Sequence, residues 1–228
     1  MINLVFSSTE ILREATLTVN YSFDNDSLLD DGPLGINGTG LNYTFSGSCR
    51  VKKCLSLLNN PSYIQAGNLV LLGTTNQSYS FSIWINPTII NKGTIIHASQ
   101  NSAGNGWCVP MLGFTNSSAI GVQSWTGNII DLTGPVAVAN AWTHIAITYS
   151  ATNGLRLWIN GSQYGPGTVG FPFIAFNGPL FVTIGLPVNG QGCFTSIINK
   201  GEYTGYIDEF ALYSRELNSA DINNLANP

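Results

Sequence analysis

The chain has 228 residues, of which 44% are hydrophobic and only 9% are charged, and its formal net charge is −4. This length fits one all-β domain with a sizeable core. The only basic cluster, Arg50, Lys52 and Lys53, is too small for a surface that tracks nucleic-acid phosphates, so the sequence argues against nucleic-acid binding. No apolar run reaches the roughly 18–20 residues that span a bilayer, which argues against a membrane span.

Eight segments rich in β-branched and aromatic residues predict strands, and Gly, Asn and Pro separate them. The segments are 15–23, 78–85, 93–98, 119–125, 141–150, 154–161, 179–185 and 203–214. In the second segment Phe81, Ile83 and Ile85 fall on one face of the strand. Because one-sided apolar strands need a second sheet to cover them, the pattern predicts a two-sheet sandwich.

Local signals predict two turns and one short helix. Asn153-Gly154 is expected to form a hairpin turn between two strong strands, and Asn160-Gly161 is expected to begin the next turn. Near the C-terminus, residues 216–226 predict one or two helical turns, with Ser219 as the N-cap. No second domain, linker or internal repeat is predicted.

Four cysteines, Cys49, Cys54, Cys108 and Cys193, allow three disulfide pairings. Cys49 and Cys54 bracket a short turn, which suits a local bridge, and Cys108 and Cys193 would then join distant segments. A zinc site is the less favoured alternative, because only one cysteine pair is close in sequence and neither histidine is near a cysteine along the chain.

The chain also carries a mild excess of N-glycosylation sequons. The seven acceptors are Asn20, Asn25, Asn37, Asn42, Asn76, Asn116 and Asn160. Since Asn, Ser, Thr and Gly rather than charged residues must keep the surface soluble, we predict an extracellular glycoprotein, secreted or on a cell surface.

Four segments together resemble the laminin G-like jelly-roll family of the concanavalin A-like lectin/glucanase superfamily. They are SFSIWINP (80–87), WTHIAITYSATNGLRLWINGS (142–162), YTGYIDEFALYSRELNSADI (203–222) and the loop-bearing start YSFDNDSLLDDGPLGINGTG (21–40). The resemblance implies an all-β, two-sheet antiparallel jelly-roll sandwich with one short C-terminal helical turn. It covers about residues 15–225, so we expect a domain over 15–228 and an N-terminal extension over 1–14.

The catalytic motifs of this superfamily are missing from the sequence. The glucanases of this superfamily carry the motif E-x-D-x-x-E on a strand, which supplies the two carboxylates of retaining hydrolysis. No such motif occurs in this sequence. There is no G-x-S-x-G nucleophile elbow either. Both histidines, His97 and His144, lie in the middle of predicted strands and are expected to be structural. We therefore predict that the chain is not an enzyme and has no catalytic residues.

Aromatic residues are the better candidates for function, because sugar rings pack their C–H faces on indole rings while amides bond the hydroxyls. Trp107 and Trp125 lie outside the family-like strands. Gln123 shares a strand face with Trp125, and Asn128 is nearby. These four residues are the predicted glycan-binding patch, with packing around Cys108 as the alternative.

The resemblance also implies a structural calcium ion where the first strand meets the last. The matching residues are Asp24 in SFDND and Asp208 in GYIDEF, and Asp26, Asp30 and Asp31 offer further oxygen ligands. The alternative is that these carboxylates accept backbone N–H groups in turns.

Three functions remain open at this point. The first is a lectin-like module that binds glycans without catalysis. The second is a structural or adhesive subunit of a glycan-coated assembly or filament, in which residues 1–14 add as a strand to a copy of the chain or to a neighbouring domain. The third is an accessory domain of a larger enzyme.

Overall fold

A computed structural model describes residues 15–189 and 193–228. The predicted N-terminal extension, residues 1–14, lies outside the described residues. The elements in chain order are β1 (Leu17–Tyr21), β2 (Thr39–Leu41), β3 (Thr44–Ser46), β4 (Cys54–Leu57), β5 (Tyr63–Leu69), β6 (Tyr79–Pro87), β7 (Thr94–Ser99), β8 (Cys108–Phe114), β9 (Ala119–Trp125), β10 (Ile129–Val136), β11 (Thr143–Ser150), β12 (Gly154–Ile159), β13 (Ser162–Tyr164), β14 (Leu180–Ile184), β15 (Gly205–Tyr213) and α1 (Ser219–Ala226).

Within the described residues the strands form two antiparallel sheets. The eight-stranded sheet has the order β13-β12-β11-β6-β15-β4-β3, and β1 pairs with the second half of β15. The seven-stranded sheet has the order β10-β9-β8-β7-β14-β5-β2. The predicted jelly-roll sandwich with one short C-terminal helix is therefore confirmed.

The core lies between the sheets, as the period-two pattern predicts. Phe81, Ile83 and Ile85 of β6 pack inward with Ile147 and Tyr149 of β11. Because buried hydroxyls must be paired, the tyrosines also connect the layers: Tyr79 donates from its hydroxyl to Ser124 Oγ at 2.9 Å.

The outer face of the eight-stranded sheet is covered by α1. Ile222 and Leu225 of the helix pack with Trp158 and Ala146 on that face. The N-cap is Asn218 and not the predicted Ser219, because the Asn218 side chain accepts hydrogen bonds from the Ala220 and Asp221 backbone N–H groups. Asp221 completes a capping box, which places the start of the helix one residue earlier than expected.

All eight predicted strands are present, with ends that differ by a few residues. The Asn160-Gly161 turn is also confirmed, with φ of +48° and +83°. The first turn lies one residue earlier than predicted, since Ser150 pairs with Gly154 and residues 151–153 make the loop. Seven further strands were not predicted: β2, β3, β4, β5, β8, β10 and β13.

Candidate functional site

Residues 193–199, the crossing segment, run over the outer face of the seven-stranded sheet. A disulfide between Cys108 and Cys193 ties the segment to β8. Gln123 of β9 holds it by accepting the backbone N–H groups of Ser196 at 2.7 Å and Ile197 at 3.0 Å. The same amide donates to Pro110 O at 2.8 Å. Because the Gln123 side chain is also fully buried, a ligand at the surface cannot reach it. The prediction that Gln123 is a ligand-binding residue is corrected accordingly.

The other three residues of the predicted patch are all at least partly exposed. Trp125 is partly exposed, but one face of its indole stacks on Phe194 of the crossing segment at a centroid distance of 3.8 Å. Trp107 is half-buried and packs edge-on against Phe173 of the core, at 6.0 Å. Asn128 is exposed in the turn between β9 and β10. Trp107, Trp125 and Asn128 thus stay predicted ligand contacts, with Phe194 as an unpredicted neighbour of Trp125.

A cleft of about 500 Å³ opens on the other sheet, beside the start of α1. Its indole comes from Trp158 of β12, which donates from Nε1 to Thr148 Oγ1 at 3.1 Å. The other residues around it come from β12, β13, the loop between β11 and β12, and the approach to the helix. They are Asn153, Arg156, Gln163, Glu216, Leu217, Asn218 and Ser219.

The rim of this cleft is polar and fixed by its own hydrogen bonds. Arg156 donates from Nη1 to Thr168 O at 2.6 Å, which holds the guanidinium against the edge of the sheet. Asn153 donates from Nδ2 to Glu216 Oε2 at 2.8 Å and closes one end. Of the described residues that line the cleft, Glu216 is the one with a carboxylate, whereas glycoside hydrolysis by the usual routes needs two.

The sequence did not single out this cleft, although Trp158 and Arg156 lie in the clearest predicted hairpin. Glu216 and Asn218 reach it from about 60 residues further along the chain, so no local motif joins the two sides. An exposed glutamine such as Gln163 opposite a tryptophan on the neighbouring strand is a common pair, so it does not by itself indicate a binding site.

Asp24 and Asp208 do lie near each other, where β1 and β15 meet β4. Asp208 is fully buried and accepts the backbone N–H groups of Val51 at 2.9 Å and Glu209 at 3.0 Å. Burial raises the pKa of Asp208 to about 7, and the negative charges of Glu209 and Asp24 add to the shift. Burial and the charge of Asp24 also raise the pKa of Glu209 to about 6. The pocket thus brings three carboxyl groups together, and Lys52 offsets part of their charge.

The carboxylates of the acidic pocket are the ligand type that a hard cation prefers, but their present positions do not bring enough oxygens together to bind one. Asp24 accepts Lys52 Nζ at 2.7 Å, and this exposed ammonium already occupies one oxygen. Among the described residues, no three carboxylates bring ligand oxygens within 4.8 Å of one another. Asp208, Asp24 and the nearby Glu209 are the residues that would hold calcium, after Lys52 moves away.

The neighbouring acidic residues follow the turn alternative instead. Asp30 accepts the backbone N–H groups of Asn20, Gly32 and Ile36. Asp31 accepts from Ser22, and Asp26 pairs with Lys53. These three carboxylates shape the loop after β1, as the turn alternative predicts, and their role as further calcium ligands stays a prediction.

Both histidines are buried and structural, as predicted. His97 Nε2 lies 2.9 Å from Gly104 O, and His144 Nε2 lies 2.9 Å from Ser82 Oγ. Burial lowers the pKa of each imidazole to about 4. Both side chains are therefore neutral at pH 7.

The cysteines pair as Cys49–Cys54 and Cys108–Cys193, which confirms the favoured arrangement. Six of the seven sequon asparagines are exposed in loops and turns, and Asn20 is half-buried in β1. Glycosylation itself stays a prediction. No helix in the described part of the chain is both long and apolar enough to cross a membrane.

The sequence profile of the Laminin_G_3 family, described as the concanavalin A-like lectin/glucanases superfamily, matches residues 58–223. The chain belongs to this superfamily. The profile covers the cleft residues, the first five residues of α1 and the crossing segment, so all the candidate sites except the Asp24 loop lie in the matched region. A comparison with curated protein sequences finds no match.

Solved structures with the same fold include several binding domains. Domain 4 of AbnA, a GH43 extracellular arabinanase from Geobacillus stearothermophilus, in complex with arabinotriose, has a TM-score of 0.62 and 22% identity over 93% of this chain and 98% of that one. The binding domain of Paraclostridial Mosquitocidal Protein 1 has a TM-score of 0.68 and 17% identity over 94% and 52%.

A third similar structure is the ligand binding domain of botulinum neurotoxin serotype D, in complex with N-acetylneuraminic acid. Its TM-score is 0.65, with 17% identity over 96% of this chain and 52% of that one. The chain thus spans about half the length of the two toxin domains and nearly all of the arabinanase domain.

Proposed function

We propose that this chain is an extracellular carbohydrate-binding module that binds glycans and does not cleave them. The observation that carries the proposal is the open cleft, which has a rim of amide, guanidinium and carboxylate groups and reaches one edge of Trp158, a side chain that is 8% exposed beneath α1. Sugar C–H faces pack on an indole, and amides with charged groups bond the hydroxyls. Its volume lies within the usual range for ligand pockets, roughly 300–1,000 Å³.

The comparisons support the ligand class without fixing the sugar. Of the similar structures, the AbnA domain holds arabinotriose and the botulinum neurotoxin D domain holds N-acetylneuraminic acid. The extracellular setting is supported by the two disulfides and the exposed sequons. The same features suit an accessory domain of a larger enzyme, in which glycan binding would be the contribution of this chain.

The experiment that tests the proposal is a glycan array followed by affinity measurements on variants. Gln163→Ala removes an exposed amide from the cleft. Trp158→Phe replaces the indole by a smaller aromatic ring that still fills most of its space. We expect each to weaken binding by up to about tenfold, since a lost hydrogen bond or ring contact costs about 0.5–1.5 kcal/mol and 1.4 kcal/mol is a factor of ten in affinity. Phe194→Ala, at the Trp125 surface, is the control and should leave the affinity unchanged.

Two results would overturn this assignment. If Phe194→Ala abolishes binding while Gln163→Ala does not, the glycan binds at Trp125 and Asn128, as the sequence predicts. If the purified protein releases sugar from a bound polysaccharide, the non-catalytic part of the proposal is wrong.

A second candidate function, a structural or adhesive subunit, is supported by the edge strand β10. This strand ends the seven-stranded sheet, and Val136 and Val138 at its end are 65% and 61% exposed. An edge strand with exposed valines is a surface to which another strand can add. Assembly of the full chain that is lost when residues 1–14 are removed would support this function.

We also propose that the acidic pocket of Asp24, Asp208 and Glu209 takes one structural calcium ion. Burial raises the pKa of both Asp208 and Glu209, and the negative charge of Asp24 adds to the shift. The proposal is supported by this crowding of carboxylates, because a divalent cation would offset the repulsion between them. When bound, the ion supplies a rigid cross-link between β15 and the loop after β1.

A further inference from the structure

Arg156 of the cleft has no anionic partner among the described residues. Its side chain is half-buried, and it forms no ion pair, whereas Lys52, Lys53 and Arg215 each pair with an aspartate. A charge that is partly removed from water is costly unless an opposite charge lies against it. The cleft therefore favours a ligand that brings its own negative charge to Arg156.

The guanidinium is held in one position and keeps one edge open. Its Nη1 donates to Leu155 O at 3.3 Å and to Thr168 O at 2.6 Å. Its Nε and Nη2 have no partner in the described part of the chain. These two nitrogens carry parallel N–H groups that match the two oxygens of a carboxylate. Because the guanidinium is already fixed, little side-chain freedom is lost when such a ligand binds.

The open edge of Arg156 belongs to the same sheet face as the apolar part of the cleft. Arg156 and Trp158 are two residues apart on β12, so their side chains share a face and their Cα atoms are about 7 Å apart. A sugar ring with its carboxylate can bridge this distance. The ring then contacts the edge of the indole, and Gln163, which pairs with Trp158 across β13, offers its amide to a hydroxyl.

Glu216, the carboxylate of the cleft, does not neutralise Arg156. It lines the same cleft, but the two side chains form no ion pair, and Glu216 Oε2 accepts Asn153 Nδ2 at 2.8 Å instead. Because the cleft is open to water, the repulsion between Glu216 and a ligand carboxylate is screened. The contact with Arg156 joins opposite charges through two hydrogen bonds and therefore decides the preference.

We infer that the cleft selects acidic glycans, whose terminal or internal sugar carries a carboxylate, and that Arg156 is the residue that selects them. The inference rests on the proposed binding of glycans at this cleft. The ligand carboxylate accepts the Nε–H and Nη2–H groups of Arg156 side by side, and the sugar ring lies against Trp158. Sialic acids and uronic acids both present this chemistry.

The test compares each acidic sugar with its own methyl ester, in which the negative charge is masked. The two acids are sialyllactose and trigalacturonic acid, and the affinities are measured by isothermal titration calorimetry. We expect the protein to bind at least one acid about tenfold or more tightly than its ester. The preference should shrink as salt is added, because salt screens the charges. The acid that shows the preference tells whether sialic or uronic acids are the ligands.

Substitutions of Arg156 separate the shape of the guanidinium from its charge. Arg156→Gln should reduce the ratio of acid to ester affinity to about one, and Arg156→Lys should keep only part of it, because an ammonium lacks the two parallel donors. Arg50→Gln is the matched control. Arg50 is an exposed arginine over Trp84 of the same sheet, outside the cleft, so its loss should leave the ratio unchanged. Binding of the ester reports whether each variant is folded.

Two outcomes would overturn the inference. The first is equal affinity of the protein for both acids and their esters, and the second is an Arg156→Gln variant that keeps the full preference. In either case glycans still bind, so the proposed function stands. If no acid, ester or other glycan of the array binds, the proposed function itself is wrong, and the inference falls with it.

Discussion

At the scale of single residues, the buried polar side chains carry most of the information about this protein. Gln123, His97, His144 and Asp208 are all fully buried. Three of them hold a backbone segment or a neighbouring strand by hydrogen bonds, and Asp208 combines that role with a pKa that burial raises to about 7. Since a buried group left without its partner costs about 1–3 kcal/mol, each of these residues gives a measurable prediction.

The first prediction concerns His144, whose imidazole is buried between β6 and β12. Its folded pKa is about 4, below the value of about 6.5 in an unfolded chain, so the unfolded state takes up the proton first. This group therefore stabilises the fold above about pH 6.5, and its contribution is lost as the pH falls toward 4.

The difference between wild type and His144→Gln isolates this group, because all other titrations are shared. In urea unfolding, the wild type should lose up to about 1.4 kcal/mol more per pH unit than the variant between about pH 6.5 and 4. Parallel stability curves for the two proteins would show that His144 does not titrate in this way.

The second prediction concerns Gln123 and the crossing segment. Gln123→Met keeps the side-chain volume but leaves the N–H groups of Ser196 and Ile197 without an acceptor. We expect a loss of about 1–3 kcal/mol in the free energy of unfolding and faster proteolysis within residues 193–199. The exposed Gln163→Met should change neither quantity. Equal proteolysis of the two variants would contradict the assigned role of Gln123.

At the scale of elements, the helix cap gives the third prediction. The side chain of Asn218 accepts the Ala220 and Asp221 N–H groups, so Asn218→Ala should cost about 1 kcal/mol. Asn223→Ala, an exposed position within α1, is the control and should be neutral or slightly stabilising. A loss on Ser219→Ala instead would favour the N-cap predicted from the sequence.

The strands that could be predicted from the sequence are those in which apolar and other side chains alternate along the chain. Phe81, Ile83 and Ile85 specify both the strand β6 and its inward face. Strand β8 was missed because Pro110 and Gly113 weaken the strand pattern, and β2, β3 and β13 are only three residues long.

The candidate sites were harder to predict, because their residues meet through the fold alone. Asn153 and Glu216 are 63 positions apart, and Glu216 reaches the cleft from a different element than Trp158. Gln123 was misassigned because the alternation of side chains along a strand indicates the sheet face on which a side chain lies, but not whether another segment covers that face. The crossing segment, whose sequence lacks any strand pattern, provides that cover.

At the scale of the whole molecule, the acidic pocket ties β15 to the loop after β1 and gives the fourth prediction. A ligand at 100 times its Kd stabilises the folded state by about 2.7 kcal/mol, so removing calcium by chelation should lower the Tm by about 5–10 °C. Asp208→Asn should abolish this difference, while Asp131→Asn on the edge strand should preserve it. Identical melting curves with and without chelator would contradict a stabilising calcium ion.

The two faces of the sandwich have different roles in this account. The outer face of the seven-stranded sheet is closed by the crossing segment and the Cys108–Cys193 disulfide. The outer face of the eight-stranded sheet is covered by α1 only in part, which leaves the cleft beside Trp158 open. Glycan binding is therefore expected at the start of the helix and not on the opposite sheet.

The most direct test of this claim is two-dimensional NMR of the isotope-labelled protein titrated with the glycans that the array returns, and with arabinotriose and N-acetylneuraminic acid. We expect the largest shift changes in the backbone signals of residues 153–163 and 216–219 and in the Trp158 indole signal, with the sugar left intact. Shift changes centred on Trp125, Asn128 and Phe194, or no changes with any of these sugars, would contradict the account.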